Sequence, residues 1–200
     1  MKEILDNLLP SKEKRLSQKI EIANTLENPV YNPSLSKEYQ DEWRLWNPHQ
    51  FMAYKTLLDE VGSIEGQDVL DLACGSGDSS RILAEKGAHV VGVDISRDMI
   101  GFANQKKDKY IEYLLADASL PVQYKEFRFD KVVAAFLLNY ANSVEKLNGM
   151  LKNVALNLES WSEFVTITIS PDHPIVLPWK NWMGWRTISR WSNYSYYFMD

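Results

Sequence analysis

The residues with the clearest chemical potential lie in one run, Asp71-Leu72-Ala73-Cys74-Gly75-Ser76-Gly77-Asp78, where an apolar stretch ends in an acid and two glycines before a helical pattern begins. Gly75 and Gly77 lack a Cβ, so the chain can turn sharply there and bring bare backbone against a ligand. Further on, Val91-Gly92-Val93-Asp94 closes a second apolar run with a carboxylate, and an acid at that place in a βαβ unit can accept hydrogen bonds from both hydroxyls of a ribose. A third run ends in Leu114-Leu115-Ala116-Asp117-Ala118, which adds an acceptor whose natural partner is an adenine amino group. After a fourth run, Asn139 and Tyr140 offer an amide and a phenol that could orient a second substrate or accept its proton. These features describe a nucleoside-cofactor site.

Two cofactors compete for such an edge, a dinucleotide and S-adenosylmethionine. The dinucleotide pattern needs a third glycine three residues after the second and a helix start free to receive pyrophosphate. This chain has Ser80 at that position and Asp78 at the helix start; a carboxylate roughly 4 Å from a phosphate costs several kcal/mol even at an effective dielectric near 20. S-adenosylmethionine reverses the sign, because Asp71 and the turn carbonyls then face a sulfonium and an ammonium. Cys74, with no neighbouring His or Lys to activate it, reads as a small buried residue beside the turn. His49 and His173 each adjoin a proline and read as structural or surface histidines. No metal ligand set is expected, since a single cysteine cannot build one alone.

The elements that would position these residues alternate along the chain. Short apolar runs predict strands at Asp68–Leu72, His89–Val93, Ile111–Leu115, Lys131–Ala135 and Phe164–Ile169, with helices at Ser79–Lys86, Arg97–Lys107 and Val144–Asn157. That alternation is the pattern of a parallel sheet flanked by helices, an α/β Rossmann-like fold. Before it, residues 1–27 show two short amphipathic patterns, Asn28–Ser36 has a linker composition, and a helix is expected from Lys37 to Val61, interrupted near Asn47-Pro48. The expected organisation is thus a helical segment and linker over residues 1–36 and one domain over 37–200, with its cofactor-binding core at 67–170.

The segments Val69-Leu70-Asp71-Leu72-Ala73-Cys74-Gly75-Ser76-Gly77, Val91-Gly92-Val93-Asp94, Ala116-Asp117-Ala118 and Phe129–Tyr140 resemble, in order, the glycine-rich motif, ribose segment, adenine segment and fourth strand of the class I S-adenosylmethionine-dependent methyltransferases. Within that family the likeness is to small-molecule enzymes of the ubiquinone/menaquinone and toxoflavin-biosynthesis kind. The resemblance implies a cofactor site made by Asp71, Ala73, Gly75, Ser76, Gly77, Asp94, Ile95, Met99, Asp117, Ala118 and Phe136. It also implies an N-terminal helical lid that brings Tyr39 to the cofactor, and an acceptor beside Asn139 and Tyr140. The sequence departs from the family in three places. Ala73 stands at the usual first glycine. Leu158–Glu163 replaces a Lys-Pro-Gly-Gly turn, so a different loop is expected there. Beyond Ile169 only about thirty residues remain, in which Thr187–Trp191 and Tyr194–Met199 are candidates for short terminal strands. The Asn/Asp-Pro-Pro-Tyr turn of enzymes that methylate nucleobase or glutamine nitrogen is absent, which points away from those acceptors.

Composition narrows the partners. The chain has 200 residues, 45% hydrophobic and 24% charged, with a net charge of −5, so it has the material for a full core and no general attraction to a polyanion. Nucleic acid is not an expected partner. No run approaches a membrane span, and the mixed-charge start lacks a secretory h-region, so a cytoplasmic protein is expected. The last thirty residues, rich in Trp and Tyr, are too aromatic for a disordered tail and are a candidate homodimer surface. Two rivals stay open at this level: a non-catalytic cofactor-binding domain and a nicotinamide-dependent oxidoreductase.

Overall fold

The computed structural model describes residues 48–169 and 185–188. Tyr39 and its expected lid, the amphipathic segments and linker before it, and most of the aromatic C-terminal segment expected to form a dimer surface lie outside the described residues. Helix α1 runs Pro48–Val61, with proline at the first helical position, where its missing N–H is no loss. Then come β1 (Asp68–Leu72), α2 (Asp78–Glu85), β2 (His89–Asp94), α3 (Arg97–Gln105), β3 (Ile111–Leu115), β4 (Phe129–Ala135), a short 3-10 turn (Leu138–Tyr140), α4 (Val144–Asn157), β5 (Leu158–Ile169) and β6 (Trp185–Ile188).

The strands form a six-stranded sheet in the order β3-β2-β1-β4-β5-β6, parallel except for β6, which runs antiparallel to β5. Consecutive residues of each central strand bury opposite faces. Val69, Val90, Ile111, Val133 and Val165 pack with Leu57 and Val61 of α1, Leu83 of α2 and Ala103 of α3. Leu70, Val91, Val132 and Phe164 pack with Met150 and Val154 of α4. Burial on both faces explains why these strands read as continuous apolar runs. The chain order turns back between β1 and β4, so the carboxyl ends of these two strands flank the crevice where open α/β sheets bind ligands.

Helix ends follow local chemistry. The Ser96 Oγ accepts from the Met99 N–H at the start of α3, and the Ser143 Oγ accepts from the Lys146 N–H at the start of α4. Gly87, at φ +90°, turns the chain out of α2.

The expected elements return with shifted ends. α2 begins one residue early at Asp78, α3 stops at Gln105, and β4 begins at Phe129. The loop expected at Leu158–Glu163 is instead the first half of β5, which leaves α4 directly. Phe129 pairs with Leu158 and Lys131 with Glu163, so the residues between Leu158 and Glu163 bulge out opposite Asp130 alone. The polar run resembles a loop in sequence because Glu159, Ser160 and Ser162 belong to the bulge, whose Trp161 is 83% exposed at φ +70°. The Lys131 Nζ to Glu163 Oε2 ion pair, 2.7 Å, closes it across the strands. β6 lies slightly before the expected Thr187–Trp191 strand and overlaps it at Thr187 and Ile188.

Candidate active site at the carboxyl edge

The four carboxyl ends of β4, β1, β2 and β3 bring Asn139 and Tyr140, Asp71 to Gly77, Asp94 and Asp117 to one edge of the sheet. The turn after β1 is tied to β2 by two bonds: the Cys74 N–H donates to the Val93 carbonyl at 3.0 Å, and the Gly75 N–H donates to Asp94 Oδ2 at 2.9 Å. The other Asp94 oxygen accepts from the Ser96 N–H at 2.8 Å. Burial pushes the Asp94 carboxyl up from its usual range, while the N–H groups of Ser96, Gly75 and Ile95 pull it back. A carboxylate offers about four lone-pair sites, so Asp94 keeps acceptor capacity for a ligand's hydroxyls.

Asp71 is fully buried. Its Oδ2 accepts from the Ser79 and Ser80 hydroxyls at 2.7 and 2.6 Å, and its Oδ1 has no hydrogen-bond partner. Burial pushes its pKa up to about 6 against the pull of the two serines, and Asp94 adds to the rise. Ser80, at the place of the missing third glycine, thus holds an acid. Asp78 is paired with Arg81 and also accepts from the Ser76 hydroxyl at 2.9 Å. The charge at the head of α2 is therefore largely compensated within the protein, and Asp71 becomes the stronger argument for a cationic ligand.

The two glycines of the turn differ in purpose. A Cβ on Gly75, at φ +54°, would meet nothing within 4 Å, so this backbone opens onto free space. A Cβ on Gly77 would lie 2.2 Å from the Tyr113 hydroxyl oxygen, and one on Gly92 would lie 2.7 Å from the Tyr113 ring. Tyr113 crosses from β3 over both glycines and donates to the Gly77 carbonyl at 3.4 Å. Gly77 makes room for a side chain of this protein, whatever else its backbone meets. Two non-glycine residues stand in left-handed conformation at the same edge, Ala73 after β1 at φ +61° and Phe136 after β4 at φ +63°.

Of the other expected site residues, Ser76 is 4% exposed, Met99 2% and Ala118 8%, while Ile95 is half-buried. Asp117 turns its Oδ1 toward the Ser119 N–H and hydroxyl, at 2.8 and 2.7 Å, which leaves Oδ2 to face another donor. Asn139 is exposed and Tyr140 is 41% exposed in the 3-10 turn. Cys74 is buried and its thiol is pushed well above the ordinary value, first by burial and then by Asp94 and Asp71, so it is held as the neutral thiol. Ser79 and Tyr113 were not singled out by sequence. The hydroxyl run Ser79-Ser80, one helical turn behind the glycines, was the available signal for the first; nothing marked the second. Among the described residues no group of acids, His and Cys could hold a metal ion, and no helix is long and apolar enough to cross a membrane.

Residues 69–160 match the family model of the methyltransferase domain. The chain carries a class I S-adenosylmethionine-dependent methyltransferase domain. Among its relatives is the demethylmenaquinone methyltransferase of Renibacterium salmoninarum, 31% identical over 117 residues, 58% of this chain and 44% of the relative. The chain spans less than half the length of the first curated relatives it matches. The fold is shared with the TehB-like S-adenosylmethionine-dependent methyltransferase of Corynebacterium glutamicum (TM-score 0.59, 23% identity, 72% of this chain and 78% of that one). It is shared too with the N-methyltransferase NodS of Bradyrhizobium japonicum (TM-score 0.58, 22% identity, 67% and 70%). The residues of this methyltransferase domain fit the cofactor of its class: an open backbone at Gly75, a buried acid with an unpartnered oxygen at Asp71, and a half-buried acid with spare acceptor sites at Asp94.

Proposed function

We propose that this protein binds S-adenosylmethionine across the carboxyl ends of β1, β2 and β3 and transfers its methyl group to a small-molecule acceptor beside Asn139 and Tyr140. The observation that carries the reading is the 2.9 Å bond from the Gly75 N–H to the Asp94 carboxylate, which fixes an open turn against an acid at the end of the neighbouring strand. Asp94 would take the ribose hydroxyls, Asp117 the adenine amino group through Oδ2, and Asp71 would offset the positive charge of the ligand. When bound, the cofactor supplies a sulfonium-activated methyl group: its bond to sulfur breaks, with the electron pair left on sulfur, as an electron pair of the acceptor bonds to the methyl carbon and the acceptor gives up a proton. The protein's part is to orient the acceptor and keep the site dry, and the Tyr140 phenol would align it or receive its proton. Because a curated relative is named for demethylmenaquinone, an apolar quinol is the first acceptor to try.

Calorimetric titration with S-adenosylhomocysteine tests the reading. Saturable one-to-one binding is expected, and Asp94→Asn should weaken it by roughly tenfold or more, the loss of a charge-assisted hydrogen-bond partner. No heat at millimolar ligand, or equal binding by the variant, would overturn it. Fluorescence change with a reduced nicotinamide dinucleotide in place of that binding would instead favour an oxidoreductase.

A further inference from the structure

Helix α4 carries Gly149, Asn153 and Asn157 at four-residue spacing, which places all three on one face. That face meets the segment Ala118–Tyr124, which directly follows Asp117. Both asparagines are fully buried. The Asn153 amide donates to the Ala118 carbonyl at 3.0 Å and to the Tyr124 hydroxyl at 2.9 Å, while its oxygen accepts from the Val122 N–H at 3.3 Å. The Asn157 amide donates to the Val122 carbonyl at 2.7 Å, and its oxygen accepts from the Tyr124 N–H at 3.0 Å. Asn157 also donates to Asn153, so the two carboxamides act as one unit. A Cβ on Gly149 would lie 2.1 Å from the Ser119 carbonyl oxygen, so the helix backbone itself rests on the segment.

An apolar residue at 153 or 157 would fill this core without the desolvation that a buried carboxamide suffers. What the asparagines add is a fixed path for an irregular segment that contains Pro121 and has no strand to pair with. The Asp117 carboxylate is set by that path, because its Oδ1 is held by Ser119 and its carbonyl accepts from the Leu120 N–H at 3.1 Å. We propose that Asn153 and Asn157 are positioning residues for the nucleobase. They lock Ala118–Tyr124 onto α4 and thereby hold the Asp117 carboxylate in place for an exocyclic amino group. The inference rests on the reading of Asp117 as the adenine acceptor.

The test measures affinity of the full chain for S-adenosylhomocysteine and for S-inosylhomocysteine, which carries an oxygen in place of the amino group, together with melting temperature. The parent should prefer the adenine ligand. Asn153→Ala should weaken adenine binding roughly tenfold and narrow the preference, as expected when buried partners lose their bonds, with inosine binding little changed. A folded Asn153→Ala that melts lower yet keeps both affinities would overturn the proposal, leaving the pair a role in the fold alone. Should that variant not fold, Tyr124→Phe removes one bond of the set: a narrowed preference supports the proposal and an unchanged one overturns it. A parent that binds neither ligand sinks the cofactor reading and this inference together. Binding by the parent with an unaffected Asn153→Ala sinks this inference only.

Discussion

The burial of Asp71 costs the free protein stability when its carboxyl ionises, and on the proposed function the same charge would serve the ligand. Burial raises its pKa from 3.8 to about 6, so between those values the folded state holds a proton that the unfolded state has released. Stability therefore falls as pH rises through that window, and at neutral pH the ionised carboxylate weakens the free protein by about 3 kcal/mol. Asp71→Asn should raise the melting temperature of the ligand-free protein at neutral pH by a few degrees, the gain fading toward pH 4. On the proposed function the same variant should bind S-adenosylhomocysteine more weakly, since the charge that would offset the ligand's ammonium is gone. Melting curves across pH, with and without ligand, check both; a variant less stable than its parent at neutral pH contradicts the account. That Asp71, Gly75 and Asp94 would meet at one edge was legible from spacing, because the geometry of a βαβ turn is local. The bonds from Ser79 and Ser80 to Asp71 depend on how α2 is rotated against β1, which no local pattern encodes.

At the scale of elements, the close approach of β2, β3 and the head of α2 is set by one ring. Tyr113 lies over Gly92 and Gly77 and is 8% exposed, with burial raising its pKa to about 12. Gly92→Ala should destabilise by about 1–3 kcal/mol through overpacking, and the penalty should shrink when Tyr113→Val removes the ring. A double-mutant cycle by denaturant unfolding measures the coupling; equal penalties in both backgrounds would show that Tyr113 is not the obstacle. Strand positions were legible in the sequence because buried parallel strands are continuous apolar runs. The bulge in β5 was not, because Ser160 and Ser162 have the same composition as a loop and only pairing with β4 distinguishes the two. The steric demand of Tyr113 on Gly77 was not legible: a glycine that admits a ligand and one that admits a neighbouring side chain look the same until the third strand is in place.

For the molecule as a whole, alternation implied a mostly parallel sheet flanked by helices but not its strand order β3-β2-β1-β4-β5, which depends on pairing between distant runs, while the antiparallel β6 was legible only as a candidate strand. β6 covers Thr166–Ile169 of β5, and β5 carries Phe164-Val165-Thr166-Ile167 at what would otherwise be an open edge. A chain ended at Ser170 should therefore self-associate more strongly than the full chain, because an uncovered apolar strand edge templates pairing. Light scattering against concentration tests this; a truncated chain that stays monomeric with an unchanged melting temperature would show that β5 needs no cover.

Ala73 and Phe136, the two left-handed residues after β1 and β4, flank the point where the sheet reverses its winding. A side chain in that conformation costs about 1–2 kcal/mol, and here the surrounding sheet sustains it. An incoming molecule then meets two turns already in shape, and their ordering does not have to wait for it. The consequence is kinetic: encounter with these turns would be governed by diffusion and charge, and the time a ligand stays would be set by how many of its contacts must break together.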